Sequence, residues 1–390
     1  MRPRTILYTG KGGVGKTSVA ACTARGCAAA GLRTLIISTD PAHSLSESLG
    51  TELGGEPAQV SDGLWGQEVK AQEEMERHWS GVQDWLGELL QERGVDRISA
   101  QELTVPPGMD ELFSLLRLRA HNDSGEWDAI VVDCAPTGET LRLLSFPDVA
   151  HWWIDKVFPF ERQILAAARP LARSLLDIPL PSQAVFADIE RLSQSLIAMN
   201  EILRDRTRCT IRLVMTPDKM VIGEAMRTFT YLNLYGYLTD AVAVNRMFPA
   251  DVGDYFAAWR RVQEQHMELV RSAFAPVPVL CAPYFEQEVV GPAMLDRLAD
   301  ELFGDGERKP ADVLYDSLAQ ELTVLDDGAV LRIQLPFTEK GDISLKKIGP
   351  ELVVGVGGER RTIMLPPAMA AMRPGAAVFT EGALQIKFNG

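Results

Sequence analysis

Residues 10–18 read GKGGVGKTS, and no other stretch limits this chain so severely. They follow a short apolar run, Thr5–Tyr8, and lead into an alanine-rich helical pattern over Ser18–Ala30. Strand, glycine-rich turn and helix in that order make a phosphate-binding loop. Gly10, Gly12, Gly13 and Gly15, with Val14 between them, let backbone N–H groups close on phosphate oxygens. The helix that opens at Thr17 and Ser18 adds its dipole. Lys16 is placed to reach β- and γ-phosphates, and Thr17 to hold Mg²⁺. Five more apolar runs, Thr34–Ser38, Ala129–Asp133, Ile211–Thr216, Ala241–Asn245 and Val277–Cys281, stand between mostly helical patterns. That alternation predicts an α/β fold with a doubly wound, mostly parallel sheet.

Helix-like sequence dominates about 64–124 and 149–206, more than simple crossovers need, and predicts a helical subdomain. Gly, Pro and charge cluster in GDGERKPA, 304–311, and the texture then changes. LRIQL (331–335), LVVGV (352–356) and LQIKF (384–388) alternate apolar and polar, and DDG at 326–328 signals a hairpin. The expected organisation is a phosphate-loop domain over 1–304, a linker over 305–312 and a small all-β sandwich over 313–390. A domain that small leans on its neighbour.

The formal charge of −14 excludes a general affinity for nucleic-acid phosphates. No run approaches ~18 apolar residues, so no membrane span is expected. The start shows no apolar leader, and the five cysteines form no C-x-x-C pair. A cytoplasmic or equivalent soluble compartment, such as plastid stroma, fits reduced thiols.

Two lysines, Lys11 and Lys16, give the loop the signature K-G-G-V-G-K-T, which resembles the deviant Walker A loop of dimeric ATPases. The resemblance implies that Lys11 crosses a dimer interface to the partner's nucleotide, as an arginine finger does. TDPAHSLSESLG, 39–50, puts Asp40 after the second strand, where a carboxylate orients or deprotonates the attacking water and can touch the Mg²⁺ shell. Pro41 and His43 belong to the same switch. WDAIVVDCAPTGETLRLL, 127–144, puts Asp133 at the end of a buried strand, the position that holds Mg²⁺ through water. Pro136, Thr137 and Gly138 follow as a second switch.

K-G-G-V-G-K-T, D-P-A-H-S and D-x-A-P-T-G-x-T-L-R together resemble the arsenite-pump (ArsA) ATPase family, whose eukaryotic branch guides tail-anchored membrane proteins. PPGMDE (106–111) and TPDKMVIGEAMRTFTYLNLYGY (216–237) match it too. The resemblance implies ATP, with Asn245 reading adenine and the loop Cys281–Phe285, including Pro283 and Phe285, closing over the base. Pump proteins of the family carry two ATPase halves. This chain has one, so Lys11 requires a homodimer. The eukaryotic branch joins subunits through a zinc-binding C-x-x-C; RMFPADVGDYFAAWRRVQEQH, 246–266, has no cysteine, so zinc is not expected. The C-terminal strands and the G-x-L-x-I-x-F ending resemble an alpha-crystallin-like, small-heat-shock domain.

Trp152, Trp153, Val157, Phe158, Phe160 and Ile164 form a large apolar set in the second helical block. It reads either as a face for a hydrophobic or tail-anchored client or as subdomain core. The alternative function is an arsenite- or antimonite-stimulated pump subunit, which needs about three converging thiolates.

Overall fold

A computed structural model describes residues 2–40, 44–70, 74, 109–134, 183–274, 277–304, 308–316, 320–325, 328–335, 338–349, 351–357, 359–365, 369 and 371–389. Within them β1 (Arg4–Thr9), β2 (Thr34–Ser38), β3 (Ala58–Ser61), β4 (Leu64–Glu68), β5 (Ala129–Asp133), β6 (Cys209–Met215), β7 (Thr239–Met247) and β8 (Val279–Pro283) form one sheet. Its order is β3-β4-β2-β5-β1-β6-β7-β8. All pairings are parallel except β3 with β4. Every residue of β2, β5 and β6 is buried. Both faces of these strands are covered, so they read as continuous apolar runs rather than alternating ones.

Helices α1 (Lys16–Ala29), α2 (Ser44–Leu49), α3 (Met109–Ser124), α4 (Gln183–Arg204), α5 (Lys219–Tyr235), α6 (Gly253–Phe274) and α7 (Pro292–Phe303) surround the sheet. One core holds Ile36 and Val131 against α1 and α7, with Val19, Ala20, Leu295 and Leu298 buried. The other holds Leu35 and Val132 against α3 to α6, with Leu116, Leu196, Leu232 and Val270 buried. Small side chains at Ala20, Ala21 and Ala24 are fully buried, so α1 lies close on the strands. Because β1 sits between β5 and β6, its loop opens into the crevice at the strands' C-terminal ends, where open α/β sheets bind ligands.

One expectation is corrected. Helix-like sequence was expected from Leu64, yet Leu64–Glu68 is strand β4, parallel to β2. Its polar residues find tertiary partners that local pattern does not announce. Gln67 donates to the Gly55 carbonyl at 2.6 Å, and Glu68 accepts from the Ser46 N–H at 2.9 Å.

Two antiparallel sheets lie beyond residue 319. One is ordered β14 (Arg373–Thr380), β15 (Ala383–Asn389), β10 (Gly328–Gln334), β9 (Gln320–Leu325). The other is β11 (Ile343–Ile348), β12 (Glu351–Val356), β13 (Glu359–Met364). Leu352, Val354 and Val356 share a buried face, as do Leu384, Ile386 and Phe388. Tyr231 of α5 packs against this core, so the small sheets do lean on the large domain.

The residues after α7 do not hang free. Arg212 is fully buried and donates to the Pro310 and Asp312 carbonyls, each at 2.9 Å. Arg4 donates to the Ala311 carbonyl at 2.9 Å. Both arginines pair with buried Asp240, at 3.2 and 3.1 Å. Among the described residues, no helix is long and apolar enough to cross a membrane.

Candidate active site

The loop between β1 and α1 is shaped by close approaches. Gly10 lies so near the end of β6 that a Cβ would sit 2.1 Å from the Val214 carbonyl oxygen. Gly15 has φ of +90°, and a Cβ there would meet the Asn245 amide at 2.4 Å. Only glycine fits both requirements. Gly12 and Gly13 face open space, where an anion can approach their N–H groups.

Thr17 and Asp133 come together from residues 116 apart: the Thr17 hydroxyl donates to Asp133 Oδ2 at 2.7 Å. The Ser44 hydroxyl lies 3.0 Å from Thr17 Oγ1. Asp133 is completely buried, and among the described residues its other oxygen, Oδ1, has no hydrogen-bond partner. Burial pushes the Asp133 carboxyl up to about 7, against the opposing pull of the Thr17 hydrogen bond and the Lys16 charge. Asp40 lies partly buried at the end of β2, close enough that its charge raises Asp133 further. A buried carboxylate with an idle oxygen, flanked by two hydroxyls, is a hard-oxygen donor set that fits Mg²⁺.

Lys16 is buried, and its ammonium turns back to the Lys11 carbonyl at 3.4 Å. Lys11 points away from that centre and pairs with Glu224 of α5 at 3.3 Å. Asn245 clips the loop to β7: its amide nitrogen donates to the Val14 carbonyl at 3.0 Å, and its oxygen accepts from the Arg246 N–H at 2.9 Å. Phe285 is buried with the Arg297 guanidinium over its ring at 5.1 Å, and Pro283 is half-buried at the end of β8. Between them Tyr284 is exposed and stacks on Phe248 at 6.1 Å.

Sequence reasoning singled out neither Ser44 nor Glu224. Ser44 lay inside the quoted D-P-A-H-S, and a hydroxyl four residues past Asp40 was the available signal. Glu224 lay inside the quoted 216–237 segment, but nothing local ties it to Lys11. Pro41, His43, Pro136, Thr137, Gly138 and the apolar set Trp152, Trp153, Val157, Phe158, Phe160 and Ile164 lie outside the described residues.

A phosphate loop at the crevice of a doubly wound sheet defines a P-loop nucleotide hydrolase. The anion-transporting ATPase profile matches residues 3–304, and the profile of the HSP20-like domain found in ArsA matches 326–388. The chain belongs to the anion-transporting ATPase family and is an ATPase. A Prosthecochloris vibrioformis protein provisionally named an arsenical pump-driving ATPase is 38% identical over 393 aligned positions, covering 99% of this chain and 96% of its own. ATPase GET3B of Arabidopsis thaliana is 30% identical, covering 75% of this chain and 77% of its own. ATPase ASNA1 homolog 1 of Paramecium tetraurelia is 27% identical, covering 73% and 88%.

Proposed function

We propose that the chain works as an ATP-gated homodimer that binds and releases a hydrophobic client, in the manner of the tail-anchored-protein branch its motifs resemble. The observation that carries the nucleotide part is Asp133: a buried carboxylate with one oxygen on Thr17 and the other without a hydrogen-bond partner among the described residues, beside the buried Lys16. Thr17 and Asp133 hold Mg²⁺, Asp133 through water, with Asp40 able to join that shell through water. An Mg²⁺ ion held by these residues would supply charge neutralisation for the phosphates.

The loop residues Gly10 to Ser18 cradle the phosphates, and Lys16 leaves the Lys11 carbonyl to reach them. Asn245, Pro283 and Phe285 line the adenine side, with the second amide hydrogen of Asn245 still available to a base. Asp40 positions the attacking water. Lys11 leaves Glu224 and reaches the partner subunit's phosphates, so hydrolysis requires closure of two copies. The switches at Pro41 and His43 and at Pro136, Thr137 and Gly138 pass that closure to the client face at Trp152, Trp153, Val157, Phe158, Phe160 and Ile164. The domain boundaries proposed are 1–304, 305–312 and 313–390.

The test is capture. Asp40→Asn should bind ATP, lose at least ~100-fold in hydrolysis rate, and co-purify with a tagged tail-anchored transmembrane segment when ATP is present. Wild type without ATP should not. A folded, ATP-bound Asp40→Asn protein that captures nothing removes the client reading and leaves the ATPase.

A pump-subunit reading rests on the name of the Prosthecochloris relative. Against it, Cys22, Cys27, Cys134 and Cys209 are buried, and burial pushes all five thiols upward. A protonated core thiol is a poor ligand for a soft metalloid. Stimulation of the ATPase by arsenite would restore that reading.

A further inference from the structure

The strand that carries Asn245 is irregular where the asparagine stands. β7 and β8 lose register between Val244 and Met247, so Asn245 and Arg246 fall in the break of a parallel ladder. Breaks of this kind re-aim a side chain beside a site. Arg246 has φ of +61°, in the left-handed region that a side chain of its size rarely enters. A residue is held there only when its surroundings over-determine it. Two neighbours do so. Tyr284, just past β8, donates its N–H to the Met247 carbonyl at 2.7 Å. Gln263 of α6 is buried; it accepts from the Phe248 N–H at 2.9 Å, and its amide nitrogen reaches the Arg246 carbonyl at 3.5 Å. Three residues on, His266 Nδ1 meets the Pro217 carbonyl oxygen at 2.7 Å, which fixes α6 itself against the loop after β6.

The left-handed turn has one consequence for Asn245: it brings the Arg246 N–H back onto Asn245 Oδ1 at 2.9 Å. The Val14 carbonyl takes the amide nitrogen on the other side, at 3.0 Å. Turned over, the amide would set oxygen against carbonyl oxygen and NH₂ against N–H, so its two ends cannot exchange. Val14 decides which end donates, and Arg246 fixes the plane in which both ends lie. An amide held in this way offers one hydrogen and one lone pair side by side. Adenine presents the complement, an acceptor at N7 and a donor at N6, whereas a 6-oxo purine such as guanine presents two acceptors. Against that second edge Oδ1 faces O6, and two acceptors repel.

We propose that Gln263 is a positioning residue for purine selection: by holding Arg246 in the left-handed turn, it keeps the Asn245 amide in the plane that accepts a 6-amino purine and rejects a 6-oxo one. This rests on the adenine reading of Asn245 above and adds what fixes its direction. Gln263 acts through the backbone of residues 246–248, not on the nucleotide. Without it the Phe248 N–H loses its acceptor, and Arg246 is released toward an ordinary φ. The Arg246 N–H then leaves Oδ1, and the amide keeps its Val14 bond but loses its plane.

The test measures kcat and KM of the full chain with ATP and with inosine triphosphate, whose base carries oxygen at its 6-position and no 2-amino group. Wild type should favour ATP in kcat/KM. Gln263→Leu should reduce that preference at least ~10-fold, through KM for ATP, with kcat for ATP within ~2-fold of wild type. Gln263→Glu keeps an acceptor for the Phe248 N–H and should keep most of the preference. Should Gln263→Leu not fold, Gln263→Asn, one methylene shorter, should lower the preference in the same direction. Arg246→Gly supplies a residue that enters the left-handed region without strain, and combined with Gln263→Leu it should restore about half or more of what was lost. An unchanged preference in a folded Gln263→Leu protein overturns the proposal, and so does a loss that Arg246→Gly fails to restore. Asn245→Ala separates the two readings. If it abolishes the preference while Gln263→Leu does not, only the role of Gln263 falls. If it leaves the preference intact, or if wild type shows none, the adenine reading of Asn245 falls as well.

Discussion

Two carboxylates, Asp240 and Asp133, are equally buried at opposite ends of the same sheet, and they are treated in opposite ways. Asp240 lies at the start of β7. Its oxygens accept from Arg212 at 3.1 and 3.4 Å, from Arg4 at 3.2 Å and from the Leu314 N–H at 3.2 Å. Asp133 lies at the end of β5, accepts from Thr17 at 2.7 Å, and among the described residues its Oδ1 has no hydrogen-bond partner. The first is a closed knot: buried charge matched by buried charge, with backbone carbonyls of residues 310–312 taking up the remaining guanidinium hydrogens. The second is an open one, and burying a carboxylate without full compensation raises its pKa. Saturated polar clusters fasten a fold; an unsaturated one at the crevice is kept for a ligand.

The comparison breaks most visibly at Arg212. Arg212→Met leaves Asp240 buried with only part of its compensation, and should cost about 3–5 kcal/mol of unfolding free energy. The melting temperature should fall whether or not nucleotide is present. A change under ~1 kcal/mol would mean that the knot is not what fastens residues 308–316 to the sheet.

Asp133→Asn should move stability the other way. The native carboxyl titrates near 7 and the unfolded one near 3.8. The folded chain therefore holds a proton that the unfolded chain has lost between those values. Wild-type stability from this group is full below about 4, falls as pH rises toward 7, and stays low above it. Asn carries no charge to bury. Without nucleotide, Asp133→Asn should be the more stable protein at pH 8, by at most about 4 kcal/mol, and the gap should close toward pH 4. Hydrolysis should drop at least ~100-fold. Melting curves at pH 5, 6, 7 and 8 decide it: an equal offset at every pH sinks the assignment.

The smallest effect is expected at the half-exposed pair Lys11–Glu224. Glu224→Gln should change stability by less than ~1 kcal/mol. Its signature belongs to the reaction: releasing Lys11 should lift the ATPase rate at limiting protein concentration by no more than ~5-fold, and should vanish in a Lys11→Ala background. A rate increase that persists without Lys11 would show that Glu224 acts on something else.

Much of this was legible in the chain. The loop carries its own chemistry within nine residues, and β2 and β5 were read at their observed bounds, Thr34–Ser38 and Ala129–Asp133, because buried parallel strands are continuous apolar runs. The alternating residues of β12 and β15 gave the correct buried faces. Strand β4, between β3 and β2, was missed, since a strand of Leu, Trp, Gly, Gln and Glu reads as nothing in particular until Gly55 and Ser46 supply partners. The 305–312 linker reading came from local composition. The arginines that hold residues 310–312, Arg4 and Arg212, are ones that local composition cannot name.

The amino-acid sequence by itself determined the phosphate loop, the α/β architecture and the alternation of the C-terminal strands, because each depends on residues within a few positions of one another. The tertiary structure decided which charges are closed and which are open. Thr17 meets Asp133 across 116 residues, and Arg4 meets Asp240 across 236. Whether a buried oxygen is saturated depends on what the strand order brings beside it, and no local spacing carries that information.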